Sequence, residues 1–446
     1  MNGYLIFLII FLIYIVALYV LWKKKYLDKH HISLLGPFLM IRSTKGIGYI
    51  EKIASHKKIW HYFGTIAIGI VSFLMVVMVY LLVWEATLVS KIPPSKAPSP
   101  TEMIGIPGIN PFIPVVYGII ALVIAVVVHE FFHGFTAKSY DLKIKSVGIL
   151  YLILPMGAFV ETDDEELKSV KRSVRSRVAA AGPGINLVMA VSALLIFMLL
   201  ITTSVQPVTP TGLAVYGVIP HSAAANAGIT GGDVLISINN YTINNYTILI
   251  KAVNSTKPGK NVSLEYWSHT LRNLVTATVV MSNRSIYSGN VSQRNISFLG
   301  VVSSTVPPNV FLNFIKNPFA GNFVFGFLAF ITMPFFGLEP IPSYITNFYT
   351  INGVFSFMPS LYFWGIVNMF YWLFWLNLML AFTNALPAIP LDGSYIYHDA
   401  VTYILEKINI KGGKEHMGKL ADAILVYTTI IVFGLILWQL IGPRII

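Results

Sequence analysis

The sequence predicts a polytopic α-helical membrane protein of about six transmembrane helices plus re-entrant elements, with one inserted extracytoplasmic α+β domain. Three observations carry that prediction. Of 446 residues, 55% are hydrophobic and only 11% charged, mean hydropathy is +0.70, and several apolar runs approach the length a bilayer demands. Lys and Arg gather in short loops beside those runs, which orients them by the positive-inside rule. Between residues 205 and 305 the composition shifts to alternating β-rich stretches with frequent Asn, Ser, Thr and Gly, enough chain for one small domain with its own core. The formal charge of +12 is accounted for by the loop cations, and no basic stripe carries interleaved aromatics, which argues against nucleic acid as a partner. Cys is absent, so disulfides and thiolate ligands are excluded and any metal falls to His, Asp or Glu.

Residues 1–104 form an N-terminal two-span region and linker. The run from 3 to 22 has no basic n-region and no small-residue cleavage pattern, so it reads as an uncleaved span. Lys23, Lys24 and Lys25 place its end in the cytoplasm, and the loop to about residue 58 agrees, carrying Lys29, Arg42, Lys45, Lys52, Lys57 and Lys58. A second span, about 62–84, returns outward to IPPSKAPSP, an extended surface linker on this reading.

Residues 105–204 supply the first half of the membrane core. A third span, about 113–137, runs inward and contains VIAVVVHEFFHGFTA. The following IKSVGILYLILPMGAFV, 144–160, is too short and too punctuated by Gly and Pro to span, and its β-branched content predicts a re-entrant hairpin. Its unpaired edge at Gly157, Ala158, Phe159 and Val160 is a candidate substrate-binding strand; the alternative is an interfacial loop with no substrate role. TDDEELKSVKRSVRSR, 162–177, reads as a charged helix-like cytosolic stretch. A fourth span, about 178–203, opens with AAAGPGINL, where Gly182 and Pro183 mark close helix contact. Asn186 within it either bonds across to the HEFFH helix or serves as a plain interhelical bond.

The 205–305 insert holds seven N-x-S/T sequons, at Asn240, Asn245, Asn254, Asn261, Asn283, Asn290 and Asn295, in keeping with an extracytoplasmic surface. Residues 306–360 contain FLAFITMPFFG but no Lys or Arg after residue 335, which predicts an interfacial or re-entrant element on the outer side. Residues 361–446 form the second half of the core. A span at about 361–385, aromatic at its outer end, runs inward to NALPAIPLDG; Lys407, Lys411, Lys414 and Lys419 follow on the cytosolic side, and a last span covers about 420–441.

The chemistry concentrates in two stretches. In HEFFH the four-residue spacing stacks His129 and His133 on one helix face, with Glu130 about a hundred degrees round. That is the HExxH pattern of a zinc site with its general base. Ionisable groups inside an apolar span are expensive and functional by default, which weighs against an accidental pair of core histidines. A catalytic zinc takes three protein ligands, so another helix must supply one. In NALPAIPLDG, Pro387 and Pro390 break the helix just before Asp392 and Gly393, making Asp392 the candidate third ligand, with a cap of the next helix as its alternative. Asn384 is a candidate donor to an oxyanion, or an interhelical bond. Glu339 and Glu406, the acids available to a rival site with a later Glu ligand, have no broken helix beside them.

HEFFHGFTA, LPMGAFVE, AAGPGIN and NALPAIPLDG, in that order, resemble the site-2 protease family of intramembrane zinc metalloproteases. GVIPHSAAANAGITGGDVLISINN resembles a PDZ domain, with Gly228, Gly232, Asp233 and Asn239 at its turn and strand positions. The resemblance implies one Zn2+ per chain on His129, His133 and Asp392, Glu130 activating water, and Asn384 positioning substrate or oxyanion. It implies substrates that are transmembrane helices, often trimmed beforehand by another protease; the spans and loop cations, read on their own, predict a multi-pass cell-membrane protein with the site in the cytoplasmic half of the bilayer. The PDZ-like domain is then a size filter or a recruiter of C-termini. A catalytically silent receptor that binds peptides through that domain is the reading from a different class.

Overall fold

The computed structural model describes residues 3–24, 27, 32–103, 105–152, 154–208, 212–303, 307–336, 340–408 and 413–445; Lys25, Lys29, Glu339 and Lys411 lie outside them. Long Leu, Ile, Val and Phe runs become helices because in lipid every backbone group must be paired within its own segment. Seven helices of 15 residues or more occur among the described residues: α1 (Gly3–Lys23), α2 (Lys57–Leu88), α3 (Val115–Ser139), α4 (Arg172–Ser204), α5 (Ser360–Asn384), α6 (Gly393–Lys407) and α7 (Gly413–Ile445). Among the described residues, five segments are long and apolar enough to cross a membrane: Lys57–Lys91, Val115–Ser139, Arg172–Ser204, Ser360–Asn384 and Glu415–Ile445. α1 adds a shorter apolar stretch, Leu12–Lys23.

The chain divides into two compact units. The first comprises residues 1–193 and 372–446. It contains a four-stranded antiparallel sheet in the order β1 (Ile32–Leu35), β2 (Phe38–Ser43), β3 (Ile144–Leu152), β4 (Leu154–Thr162). The expected hairpin at 144–160 is present as β3 and β4, but the loop before residue 58 is more than a basic connection, because it contributes half of this sheet. β4 is the edge strand. Trp60, Phe135, Ile144 and Val160 bury together where α2, α3 and the hairpin meet, and Ala67, Val71, Ala179, Ala180, Ala385 and Ile396 do so where α2, α4 and α6 meet. Small residues at the second junction let three backbones converge.

Two expectations are corrected in this unit. IPPSKAPSP is extended only in part: Ile92, Pro93 and Ala97 are extended, but Pro94–Lys96 is a 3-10 turn and Pro100–Met103 is helical, since the φ that proline imposes suits a 3-10 turn as well as an extended chain. The charged stretch 162–177 is not one helix either. Asp163 caps a short helix, Asp164–Ser169, by accepting from the Glu165 and Glu166 amides, and after a break the residues from Arg172 onward belong to α4.

The second unit comprises residues 194–371. Its main sheet runs β9 (Asn273–Val280), β8 (Asn261–Ser268), β7 (Val234–Ile238), β6 (Leu213–Val218), β10 (Val301–Ser303), closed over the helix Tyr246–Asn254 by Leu213, Leu235, Ile238, Leu249, Val262 and Leu264. Buried Asp233 ties the turn before β7: its carboxylate accepts from the Thr230 amide and from the backbone and Nδ1 of His269. Gly232 beside it has φ +106°, a value that only glycine adopts without strain. In the 306–360 region Pro308–Lys316 and Phe323–Thr332 are helices of 9 and 10 residues, too short to cross a bilayer. A strand pair, β5 (Val205–Pro207) with β11 (Tyr349–Ile351), closes the segment.

Candidate metal centre

Helix periodicity brings the first two groups together. His129 and His133, one turn apart on α3, place their Nε2 atoms 3.1 Å from each other. Asp392 Oδ2 lies 3.1 Å from His129 Nε2 and 3.3 Å from His133 Nε2, closing a triangle of three donor atoms. Donors held 2.0–2.1 Å from a tetrahedral zinc are separated by roughly 3.3 Å, so the triangle has the size such an ion requires.

The surroundings assign the protons. His133 Nδ1 sits 2.7 Å from the Val178 carbonyl of α4, which can only accept, so Nδ1 carries the proton and Nε2 presents its lone pair. Pro183 removes an N–H from that same stretch of α4. Asn186, fully buried, meets His129 Nδ1 at 3.2 Å through its amide nitrogen while its Oδ1 has no donor. Exchanging the two amide atoms lets Oδ1 accept the Nδ1–H of His129, again leaving Nε2 free. Asp392 Oδ2, buried, has no hydrogen-bond donor. Three potential ligand atoms therefore face one another at contact distance, an arrangement that a metal ion, or a proton shared between imidazole and carboxylate, relieves. The residues fit a zinc ion.

Gly182 supplies the floor. A Cβ on it would lie 2.3 Å from His133 Nε2 and 2.6 Å from His129 Nε2, so the helix contact expected there is made directly to the two imidazoles. Gly393 plays the matching part for Asp392. α5 ends at Asn384, the loop through Pro387 and Pro390 folds back, and a Cβ on Gly393 would lie 2.4 Å from the Ala385 and Leu386 carbonyls. Asp392 occupies the N-cap position of α6 but makes no capping bond; its carboxylate turns to the histidines instead. Glu130 is half-buried beside His129, and Asn384 is half-buried with no side-chain partner among the described residues.

The hairpin lies against the same turn. Val160 fills the space above Gly134, and Val126 the space above Gly157, at 2.8 Å from a would-be Cβ in each case, so the two contacts bracket the HEFFH turn along α3. Between them come Ala158 and Phe159. β4 spends one edge on β3, pairing Gly157 with Leu150 and Phe159 with Gly148, and its other edge has no strand partner among the described residues.

Sequence reasoning missed three parts of this centre. The Val178 carbonyl is backbone and leaves no residue-type signal. Arg42 joins the hairpins by donating from Nε to Glu161 Oε2 at 3.0 Å, with its guanidinium 6.0 Å from the Phe159 ring centre. Arg175 and Ser176 of α4 donate to Asp399 of α6, and the seven-residue spacing of Asp392, Asp399 and Glu406 was the available clue.

A sequence profile of peptidase family M50 matches residues 117–427, a span that contains His129, His133 and Asp392. An uncharacterized protein of Methanocaldococcus jannaschii is 27% identical over 403 residues, covering 89% of this chain and 87% of its own length. Among solved structures, the PDZ domain of the SdrC-like protein from Listeria monocytogenes matches at 18% identity, covering 22% of this chain and 93% of its own, with a TM-score of 0.18, too low to carry an argument. With the family match extending over more than half of the sequence and across both stretches that meet at the metal cluster, the chain belongs to peptidase family M50, the site-2 protease family of membrane metalloproteases.

Proposed function

We propose that this chain is a zinc metalloendopeptidase that hydrolyses peptide bonds within transmembrane segments of other membrane proteins. The observation that supports the reading above all is the convergence of His129 Nε2, His133 Nε2 and Asp392 Oδ2 in an otherwise apolar helix packing. Zinc bound there supplies Lewis acidity, polarising the scissile carbonyl and lowering the pKa of the attacking water. Glu130, one residue from a ligand, takes the proton from that water and returns it to the leaving amine. Asn384, unengaged at the end of α5, donates to the developing oxyanion. A helical substrate must unwind locally before its carbonyl is accessible, and the open edge of β4 at Gly157–Val160 offers the freed backbone replacement bonds.

In this reading α1 is a sixth span, the site lies in the cytoplasmic half of the bilayer, and the PDZ-like insert is extracytoplasmic and meets substrates already trimmed by another protease. The basic residues flanking each span support that orientation. Because the chain has no Cys, single cysteines at exposed Ile286 and Ile404 report sidedness directly: a membrane-impermeant thiol reagent added outside intact cells labels 286 and spares 404. The reverse pattern overturns the orientation.

The catalytic reading is tested by zinc content together with cleavage of a single-span peptide in detergent. Wild type retains about one zinc per chain. Asp392→Ala loses the metal and the cleavage, whereas Glu130→Ala keeps the metal and loses only the cleavage. A wild-type chain without stoichiometric zinc, or a Glu130→Ala variant that cleaves normally, removes the proposal and leaves the silent receptor.

A further inference from the structure

We propose that Arg175 is a positioning residue for the third ligand: its ion pair with Asp399 sets the register of α6 against α4 and thereby holds the Asp392 carboxylate at the metal. The inference rests on the proposed zinc site.

Asp392, Asp399 and Glu406 follow one another at intervals of seven on the sequence of α6, so all three lie on one face of that helix. Each has a partner. Arg172 Nη2 donates to Glu406, while Arg175 donates through Nε and Nη2 to Asp399, whose other oxygen accepts from Ser176 Oγ at 2.8 Å. The Arg175 and Asp399 side chains are only 14% and 5% exposed, so this is a buried, two-pronged contact, the kind whose geometry is stiff. Further along α4 come Val178, Gly182 and Asn186, the three groups that seat the histidines.

Two lever arms therefore start at the same clamp. From Asp399 back to Asp392 is seven residues, about 10 Å along α6. From Ser176 forward to Gly182, beneath the imidazoles, is six, about 9 Å along α4. Equal arms running in opposite chain directions bring the carboxylate level with the histidines only when the clamp is closed. The loop 385–392 bends the chain at Pro387 and Pro390, and its Leu386, Ala388 and Leu391 pack against α2 and α7, so it ties the start of α6 to those helices while the ion pairs tie α6 to α4. Arg172 with Glu406, 35% and 30% exposed, is the looser outer contact.

The test uses the full chain in detergent. Replacing Arg175 by Gln lowers zinc affinity, measured by competition with a chelator, by about 10- to 100-fold, the range for groups that orient a ligand. Turnover at limiting zinc falls in step, KM for a single-span peptide stays put, and saturating zinc restores most of the turnover. Asp399→Asn behaves alike, whereas Arg172→Gln changes affinity by less than about threefold. A readout without metal uses spin labels on cysteines at exposed Val188 and Tyr403, whose separation broadens in Arg175→Gln. Wild-type affinity in both Arg175→Gln and Asp399→Asn overturns the inference, as does lost turnover that zinc cannot rescue. If the wild-type chain itself binds no zinc, it is the proposed function that fails.

Discussion

The two halves of the metal cluster reach one point by different physical routes. His129 and His133 are brought together by the pitch of a single helix, which any stable α3 delivers. Asp392 comes from a helix whose start follows a folded-back loop, and its height depends on ion pairs with α4 that are more than 220 residues distant in sequence. The comparison teaches where such a site is vulnerable. On the histidine side, damage requires touching the imidazoles or the groups seated against them. On the aspartate side, it can be done from 10 Å away.

The sharpest way to break the histidine side without deleting a ligand is Gly182→Ala. By helix propensity the change should stabilise α4 by about 1 kcal/mol. The added Cβ, however, would come within 2.6 Å of both imidazole Nε2 atoms, so the rings must turn away from Asp392. The expected outcome is a folded, helical protein with zinc affinity reduced at least about 100-fold, read by metal analysis after dialysis against a chelator and by circular dichroism. A variant that keeps its zinc would mean that the floor yields and the imidazoles do not depend on it.

Asn186→Leu is gentler. It conserves volume and removes only the amide that orients His129, so the ring keeps its place and loses its tautomer lock. Zinc affinity should drop by about 10-fold, measured the same way, an effect comparable with that of opening the clamp at Arg175 and well below that of Gly182→Ala. If Asn186→Leu proves as severe as Gly182→Ala, ring orientation matters more than ring clearance, and the histidine side is the less tolerant half.

The same contrast separates what the sequence made legible from what it did not. The HEFFH turn, the two strands of the hairpin and the broken helix before Asp392 are local patterns of residue type, and α2, α3 and α5 begin and end within a few residues of the apolar runs that announced them, whereas α4 and α7 start earlier, in charged residues, and α6 had no apolar run to announce it. Arg172 and Arg175 were also visible, but as loop cations that mark a cytosolic face; nothing local distinguishes a cation that sets topology from one buried against a carboxylate. β1 and β2 escaped notice because strands of 4 and 6 residues with no clean alternation take their register from β3 across a gap of about a hundred residues. Val178 was beyond reach, since a backbone carbonyl is the same in every residue.

The smallest effect tests whether the two hairpins are joined by charge or by packing. Ser146 donates to Glu161 at 2.6 Å and holds its carboxyl below the ordinary glutamate value; burial opposes this, and Arg42 and Lys145 reinforce it. A carboxyl whose pKa is depressed by folding stabilises the fold above its unfolded value, about 4.3, and ceases to do so as the pH falls through the lower, folded value. Glu161 is about a third exposed, so the pair contributes no more than an exposed ion pair does, under about 1 kcal/mol. Thermal melts of wild type and Glu161→Gln should therefore differ by a degree or two at pH 7 and converge towards pH 3. If the gap is absent at pH 7, the hairpins are joined by the pairing of β2 with β3, and Arg42 matters as the cation over the Phe159 ring.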